Sequence, residues 1–147
     1  MKALSQTSIR LITCACLSAA LLIVRADVDA ETQSQMGQDA CAVFQQADTE
    51  LNVVYQRILA DYASAPQFTQ KLRDAQRAWR AFRDAHLESL YPEPDKQAAY
   101  GSAYQMCRCS VLAGLTKQRV EELKQWLNGV PEGEVCAGSI RRAAPQD

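Results

Sequence analysis

The chain of 147 residues has a single histidine, His86. That scarcity removes the Ser/His/Asp and Cys/His sets of nucleophilic catalysis unless His86 itself serves, and it removes histidine-based metal spacing. His86 lies on the Trp79, Phe82 and Leu90 stripe of an amphipathic segment, the position of a packed core or core-edge side chain. The six glycines are scattered singly, so no Gly-rich phosphate loop is formed. No Cys-x-x-Cys pair occurs, which argues against a four-cysteine zinc site. No segment alternates with the two-residue period of a strand over a useful length. The sequence therefore predicts no catalytic residue, no metal site and no cofactor, and we read the chain as a protein other than an enzyme.

Long apolar runs are also missing. The longest uncharged stretch, Leu11 to Val24, has 14 residues, whereas a spanning helix needs roughly 18 to 20. It follows Lys2 and Arg10 and ends near small Ala26, the layout of a removable secretory signal over residues 1–26, with a second cleavage choice after Ala30. Cys14 stands too near the front of the run for lipid attachment, so no stable membrane anchor is expected after cleavage. The localisation this predicts is periplasmic or secreted. Removing the three signal cations leaves 13 basic against 17 acidic residues, net about −4. An acidic chain is poorly suited to nucleic acid, where phosphate attraction dominates affinity.

The remaining residues suit one domain with a modest core. The reading is a flexible segment over 27–39, a helical domain over 40–136 and a disordered tail over 137–147. Phe44, Leu51, Tyr55, Ile58 and Tyr62 recur at helical spacing. Pro66 starts a second helix, with Phe68, Leu72, Ala75, Trp79, Phe82, His86 and Leu90 as its stripe, and Tyr91-Pro92-Glu93-Pro94 stops it. A third helix begins between Lys96 and Ser102, carries Leu112, Leu115, Leu123, Trp126 and Leu127, and ends at Asn128-Gly129. Each helix has one apolar face to bury, so the predicted fold is all-α, an up-down-up three-helix bundle with a disulfide-tethered C-terminal tail.

Four cysteines remain outside the signal: Cys41, Cys107, Cys109 and Cys136. An even number in a small exported domain reads as two disulfides. Residues two apart on a helix point about 200° apart, so Cys107 and Cys109 should not pair with each other. Cys109 shares the apolar side with Leu112 and Thr116, which favours Cys41 with Cys109 and Cys107 with Cys136. The second bond would strain the tail's reach: Cys109 to Asn128 is about 28 Å of helix, and eight extended residues cover about 26 Å.

The same helical phases bring polar residues to the core edge: Asp48, Asn52, Gln76, Arg83, Thr116 and Arg119. With alternating helices, Asp48 comes level with Arg83, and Asn52 with Gln76 and Arg119. We expect an interhelical hydrogen-bond layer that sets register; a polar ligand site between helices is the alternative. Asp84, Glu88, Glu121 and Glu122 are numerous enough to supply a carboxylate pair for glycosidic chemistry, but on helices this charged they read first as solvated ion-pairing faces.

Three ordered motifs carry a resemblance. Ala47-Asp48-x-Glu50-Leu51-Asn52-x-x-Tyr55 is followed by Leu72-x-x-Ala75-Gln76-Arg77-Ala78-Trp79-x-x-Phe82-Arg83-Asp84-Ala85, and then by Leu115-Thr116-x-x-Arg119-x-x-x-Leu123. Over Cys41 to Leu127 the chain resembles the LprI-like lysozyme-inhibitor domains of exported bacterial proteins. The resemblance implies a helical envelope domain that binds and inhibits lysozyme without catalytic residues, with recurrent polar positions at Asn52, Gln76, Arg83, Asp84, Thr116 and Arg119. It also leaves open a structural or partner-binding periplasmic protein with no lysozyme activity, its partner another envelope protein. Acidic exposed segments would face a cationic target, which singles out Tyr91, Glu93 and Asp95 in one loop and Glu132 and Glu134 in the tail.

Overall fold

The computed structural model describes the backbone of residues 6–143 and the side chains of residues 31–143. Four helices follow one another: α1 (Gln6–Asp61), α2 (Pro66–Leu90), α3 (Lys96–Tyr100) and α4 (Tyr104–Asn128). The chain divides into two compact units, Met1–Met36 and Gly37–Asp147. In the first, the described backbone belongs to α1. Residues 27–39, expected as a flexible segment, are helical too. Their Ala, Glu, Gln and Met side chains are good helix formers, and no proline interrupts them. The first five residues of the expected signal lie outside the described structure. Among the described residues no helix is long and apolar enough to cross a membrane.

The second unit is built on three long helical stretches, with the short α3 as an addition. Pro66 opens α2, where its missing N–H costs nothing. The turn before it is closed by the Ala65 N–H donating to the Tyr62 carbonyl at 2.9 Å. Pro92 stops α2 by denying the next turn a donor. The stretch expected as one third helix is instead two. Asp95 caps α3 by accepting from the Ala98 N–H at 2.9 Å, and Gly101, at φ +67°, breaks the run before α4 begins. A positive φ is cheap only for glycine, so the break belongs at that residue.

Contacts along the helices give their directions. Cys41 is joined to Cys109 near one end, and the Tyr62 hydroxyl donates to the Trp126 carbonyl at 3.1 Å near the other, so α4 runs parallel to the Gly37–Asp61 part of α1. Arg83 reaches Asp48, and Phe68 packs on Tyr62 at 4.7 Å, so α2 runs the opposite way. Leu51, Val54 and Ile58 of α1, Tyr62 in the turn that follows it, Leu72 of α2, and Val120 and Leu123 of α4 form the core. Tyr55, Phe68, Trp79, Trp126 and Leu127 close over it.

The apolar face of α2 differs from the expected stripe. Thr69, Leu72, Gln76 and Leu87 are its buried residues, whereas Phe82 is 56% exposed and Leu90 47% exposed. The inward face has turned by about one residue, because Gln76 and Arg83 point to partners on the neighbouring helices. His86 stacks on Phe82 at 5.7 Å on the outer edge.

The tail corrects two expectations. After α4, Gly129 at φ +75° reverses the chain, and Val130 pairs with Arg142 in an isolated parallel bridge. Arg141 lies over the Tyr62 ring at 4.0 Å and its guanidinium donates to the Asp61 carbonyl. Trp126 Nε1 donates to Ser139 Oγ at 3.1 Å. Residues 137–143 are thus docked rather than disordered; 144–147 lie outside the described residues. The same docking leaves Cys136 exposed on a loop at the far end of α4, so the expected Cys107–Cys136 bond is absent and both thiols are free. Backbone pairing at Val130 closes the loop before it can travel the length of α4. A Cβ on Gly129 would stand 2.6 Å from the Ala143 nitrogen, so only glycine allows that return.

The Cys41–Cys109 bond spans 68 residues with its Cα atoms 4.8 Å apart. Closing a loop of that length stabilises by roughly 2 to 4 kcal/mol. Cys41→Ser or reduction should therefore lower the melting temperature by on the order of 10 °C. Peptide mapping of the unreduced protein should recover the Cys41–Cys109 pair, with Cys107 and Cys136 open to alkylation.

Candidate functional site

The polar residues at the core edge divide into two sets. Arg83, its side chain 14% exposed, donates from Nη1 to Asp48 Oδ1 at 3.5 Å and from Nε to Asp84 Oδ1 at 3.0 Å. Its guanidinium lies 5.4 Å from the Trp79 ring and 5.8 Å from Phe44, so aromatic faces and carboxylates share its charge. Two turns before Arg83 on the same face of α2, Gln76 Oε1 accepts from Arg119 Nε at 3.2 Å, and Arg119 Nη1 pairs with Glu122 at 3.0 Å. Asn52 joins neither Gln76 nor Arg119. It is exposed, and its amide donates to Asp48 Oδ2 one turn back on its own helix at 3.4 Å. Thr116 is 0% exposed, and its hydroxyl has no partner among the described residues. The six residues expected as one layer are therefore two pairs, a helix-surface amide and one lone buried hydroxyl.

The carboxylates considered for glycosidic chemistry are each matched to a cation. Asp84 meets Arg83, Glu88 meets Lys96, Glu121 meets Lys124 and Glu122 meets Arg119. Among the described residues no group of three or more His, Cys, Asp or Glu side chains is placed to hold a metal ion.

The loop from Tyr91 to Asp95 is held from several sides. Tyr91 meets Tyr100 and Tyr104 edge-on at 5.1 and 5.2 Å, and those two rings lie 6.0 Å apart. The Glu93 N–H donates to the Tyr100 hydroxyl at 3.3 Å. Lys96 bonds both Glu88 Oε2, at 2.8 Å, and the Tyr91 carbonyl, tying the end of α2 to the start of α3. Its ammonium is pushed above the usual lysine range, first by the Glu88 hydrogen bond. Asp95 is used as the α3 cap, so of the loop's two acids only Glu93 has an uncommitted carboxylate. The tyrosine cluster was not read from the sequence, because Gly101 interrupts the spacing that links Tyr100 and Tyr104 to Tyr91.

The second acidic segment is elsewhere. Glu134 accepts from the Cys136 N–H at 2.9 Å, and Glu132 is exposed beside it, both beyond the C-terminus of α4. The Tyr91 loop packs at the N-terminal end of α4 through Tyr104. Twenty-five helical residues, roughly 37 Å, lie between the two segments, so they do not form one patch.

Comparison with known proteins adds one finding: the family model described as Lysozyme inhibitor LprI matches residues 25–123. The chain belongs to the LprI family. The match takes in α2, α3 and most of α4, and so includes the Arg83 and Arg119 pairs and the whole Tyr91 loop. LprI is a family of inhibitor domains, not of enzymes. No curated protein and no solved structure matches the chain.

Two outcomes check this geometry. Tyr91 has its phenol pushed above the usual 10, first by burial, then by the Cys107 thiol it bonds and by the neighbouring tyrosines. The folded loop favours the neutral phenol, so this stabilisation is complete below pH 10 and is lost as the pH rises through the higher folded value. Tyrosinate absorbance should show a late-titrating phenol that disappears in Tyr91→Phe. Arg83→Leu should cost about 1 to 2 kcal/mol in denaturant unfolding, because two carboxylates lose a cation and the two aromatic faces lose its guanidinium.

Proposed function

We propose that this LprI-family chain is exported to the bacterial envelope and inhibits lysozyme by protein–protein binding, with no covalent or metal chemistry. The observation that carries this reading is the family match over residues 25–123. The geometry supports a particular docking element, the Tyr91–Asp95 loop. Its backbone is ordered by the tyrosine cluster, the Lys96 bridge and the Asp95 cap, so little conformational entropy is lost on binding. Pro92, Glu93 and Pro94 are exposed at its tip.

A cationic enzyme surface would be drawn to Glu93, and such complementarity acts more on encounter rate than on final affinity. The Glu132–Glu134 segment is too far along α4 to share a footprint of standard size centred on that loop. The polar pairs at Asp48–Arg83 and Gln76–Arg119 serve the frame in this reading, holding α2 against α1 and α4 as a three-helix bundle. The signal over residues 1–26 would deliver the domain, and the Cys41–Cys109 bond suits an oxidising compartment.

Purified, oxidised protein added to a lysozyme cell-wall lysis assay should slow lysis at micromolar concentration. Glu93→Lys should reduce the association rate about tenfold at low salt and less at high salt, with a smaller effect on dissociation. No inhibition at micromolar excess would remove the lysozyme reading and leave a partner-binding envelope protein.

A further inference from the structure

A cleft of about 310 Å³ opens between α1 and α2, lined chiefly by polar side chains, among them Asp48, Asn52, Gln56, Gln76, Arg80 and Arg83. Such a volume is at the small end of ligand sites and suits a molecule the size of an amino acid or a monosaccharide. A groove of this kind between packed helices would ordinarily be filled by apolar side chains; here Leu51 and Tyr55 are the apolar part of the wall.

The hydrogen-bonding capacity of the lining is only partly used. Gln76 is 4% exposed, and Arg119 occupies its carbonyl oxygen, which leaves the amide NH2 without a protein partner among the described residues. Thr116 Oγ1 is the one buried side-chain polar atom without a partner among the described residues, so the Gln76 nitrogen is open to the water of the cleft and can donate to an acceptor placed there. Asn52 spends its NH2 on Asp48 and keeps its carbonyl oxygen. Gln56 makes no hydrogen bond through its amide among the described residues and contributes both a donor and an acceptor.

Charge completes the pattern. Asp48 and Asp84 both serve Arg83. Arg77, one turn before the cleft's other arginine, is neutralised by Asp74. Arg80 has no carboxylate among the described residues, so the cleft carries one uncompensated guanidinium at its wall. A guanidinium presents paired N–H groups that match a carboxylate in a two-point hydrogen bond.

We propose that this cleft binds a small carboxylate bearing further hydroxyl, amide or amine groups. Its carboxylate is held by Arg80, an acceptor on its body by the Gln76 amide, and its donors by Asn52 and Gln56. Acidic sugars and acidic amino acids share this chemistry. None of the cleft's lining residues belongs to the Tyr91 loop, so the site stands whether or not the chain inhibits lysozyme.

The test is two-dimensional NMR of the full-length oxidised protein titrated with D-glucuronate, with L-glutamate and with D-glucose. At least one of the two carboxylates should give saturable shifts at the Asn52, Gln56 and Gln76 side-chain amides, with Kd on the order of millimolar or tighter. Binding should be about tenfold weaker for glucose and for Arg80→Gln. Arg73→Gln, also exposed on α2 but outside the cleft, should bind as the unmodified protein does. Glucuronate alone would identify an acidic sugar, glutamate alone an amino acid, and both together a site selecting chiefly for the carboxylate. Arg80 is exposed, so circular dichroism should show the variant folded. No saturable shift with either carboxylate, equal binding of glucose, or undiminished binding by folded Arg80→Gln would overturn the proposal.

Discussion

The bond between Cys41 and Cys109 holds α1 and α4 side by side covalently. Two parallel helices joined at one end meet at a nearly constant sequence offset, since both rise about 1.5 Å per residue. The offset is 68 at the disulfide and 64 where Tyr62 meets the Trp126 carbonyl. Between those two anchors Leu51, Val54 and Ile58 are brought against Val120 and Leu123. Tyr62 then serves three elements at once: its ring packs on Phe68, its hydroxyl bonds the end of α4, and its face receives Arg141 from the tail. One end of the unit is therefore secured covalently and the other by a single aromatic side chain.

Helix α2 fits the groove between those two helices on terms that are partly polar. Gln76 and Arg83 take positions on its inward side that apolar residues would otherwise fill, and each finds a partner on a neighbouring helix. The displaced apolar residues, Phe82 and Leu90, are left facing solvent. Buried polar groups of this kind add little net stability, but an unpaired one costs more than a pair contributes, so they penalise any other rotation of the helix. The same arrangement that turns α2 also leaves the cleft beside Arg80, because polar side chains bonded to their own neighbours do not interlock tightly enough to close it.

Three separate features of the described surface follow from this packing. At the N-terminal end of α4, the tyrosine cluster and the Lys96 bridge stiffen a loop that carries an exposed acid between prolines. On the flank between α1 and α2 is a concave polar cleft. At the C-terminal end of α4, the tail folds over Tyr62 and exposes Cys136. A protein partner and a small ligand would use separate parts of the molecule.

Much of the helical outline was legible in local chemistry. Pro66 begins α2, Pro92 ends it, and Asn128-Gly129 ends α4, because each of these residues restricts the backbone whatever surrounds it. The pairing of Cys41 with Cys109 was also legible, since helical phase put Cys109 and not Cys107 on the apolar side. The three motifs led to the LprI family. Other features depended on tertiary contacts. Gly101 splits the third helix, and on either side of that break Tyr100 and Tyr104 meet Tyr91, a grouping that no local spacing announces. Docking of Arg141 on Tyr62 kept Cys136 from Cys107, and that contact joins residues 79 apart. The cleft at Arg80 likewise has walls from two helices, so its charge and its shape exist only once they are packed. Sequence alone determined where the backbone must start, stop and turn, since those restrictions are local and covalent. Which polar groups found partners, and which were left to face a cleft, was decided by packing.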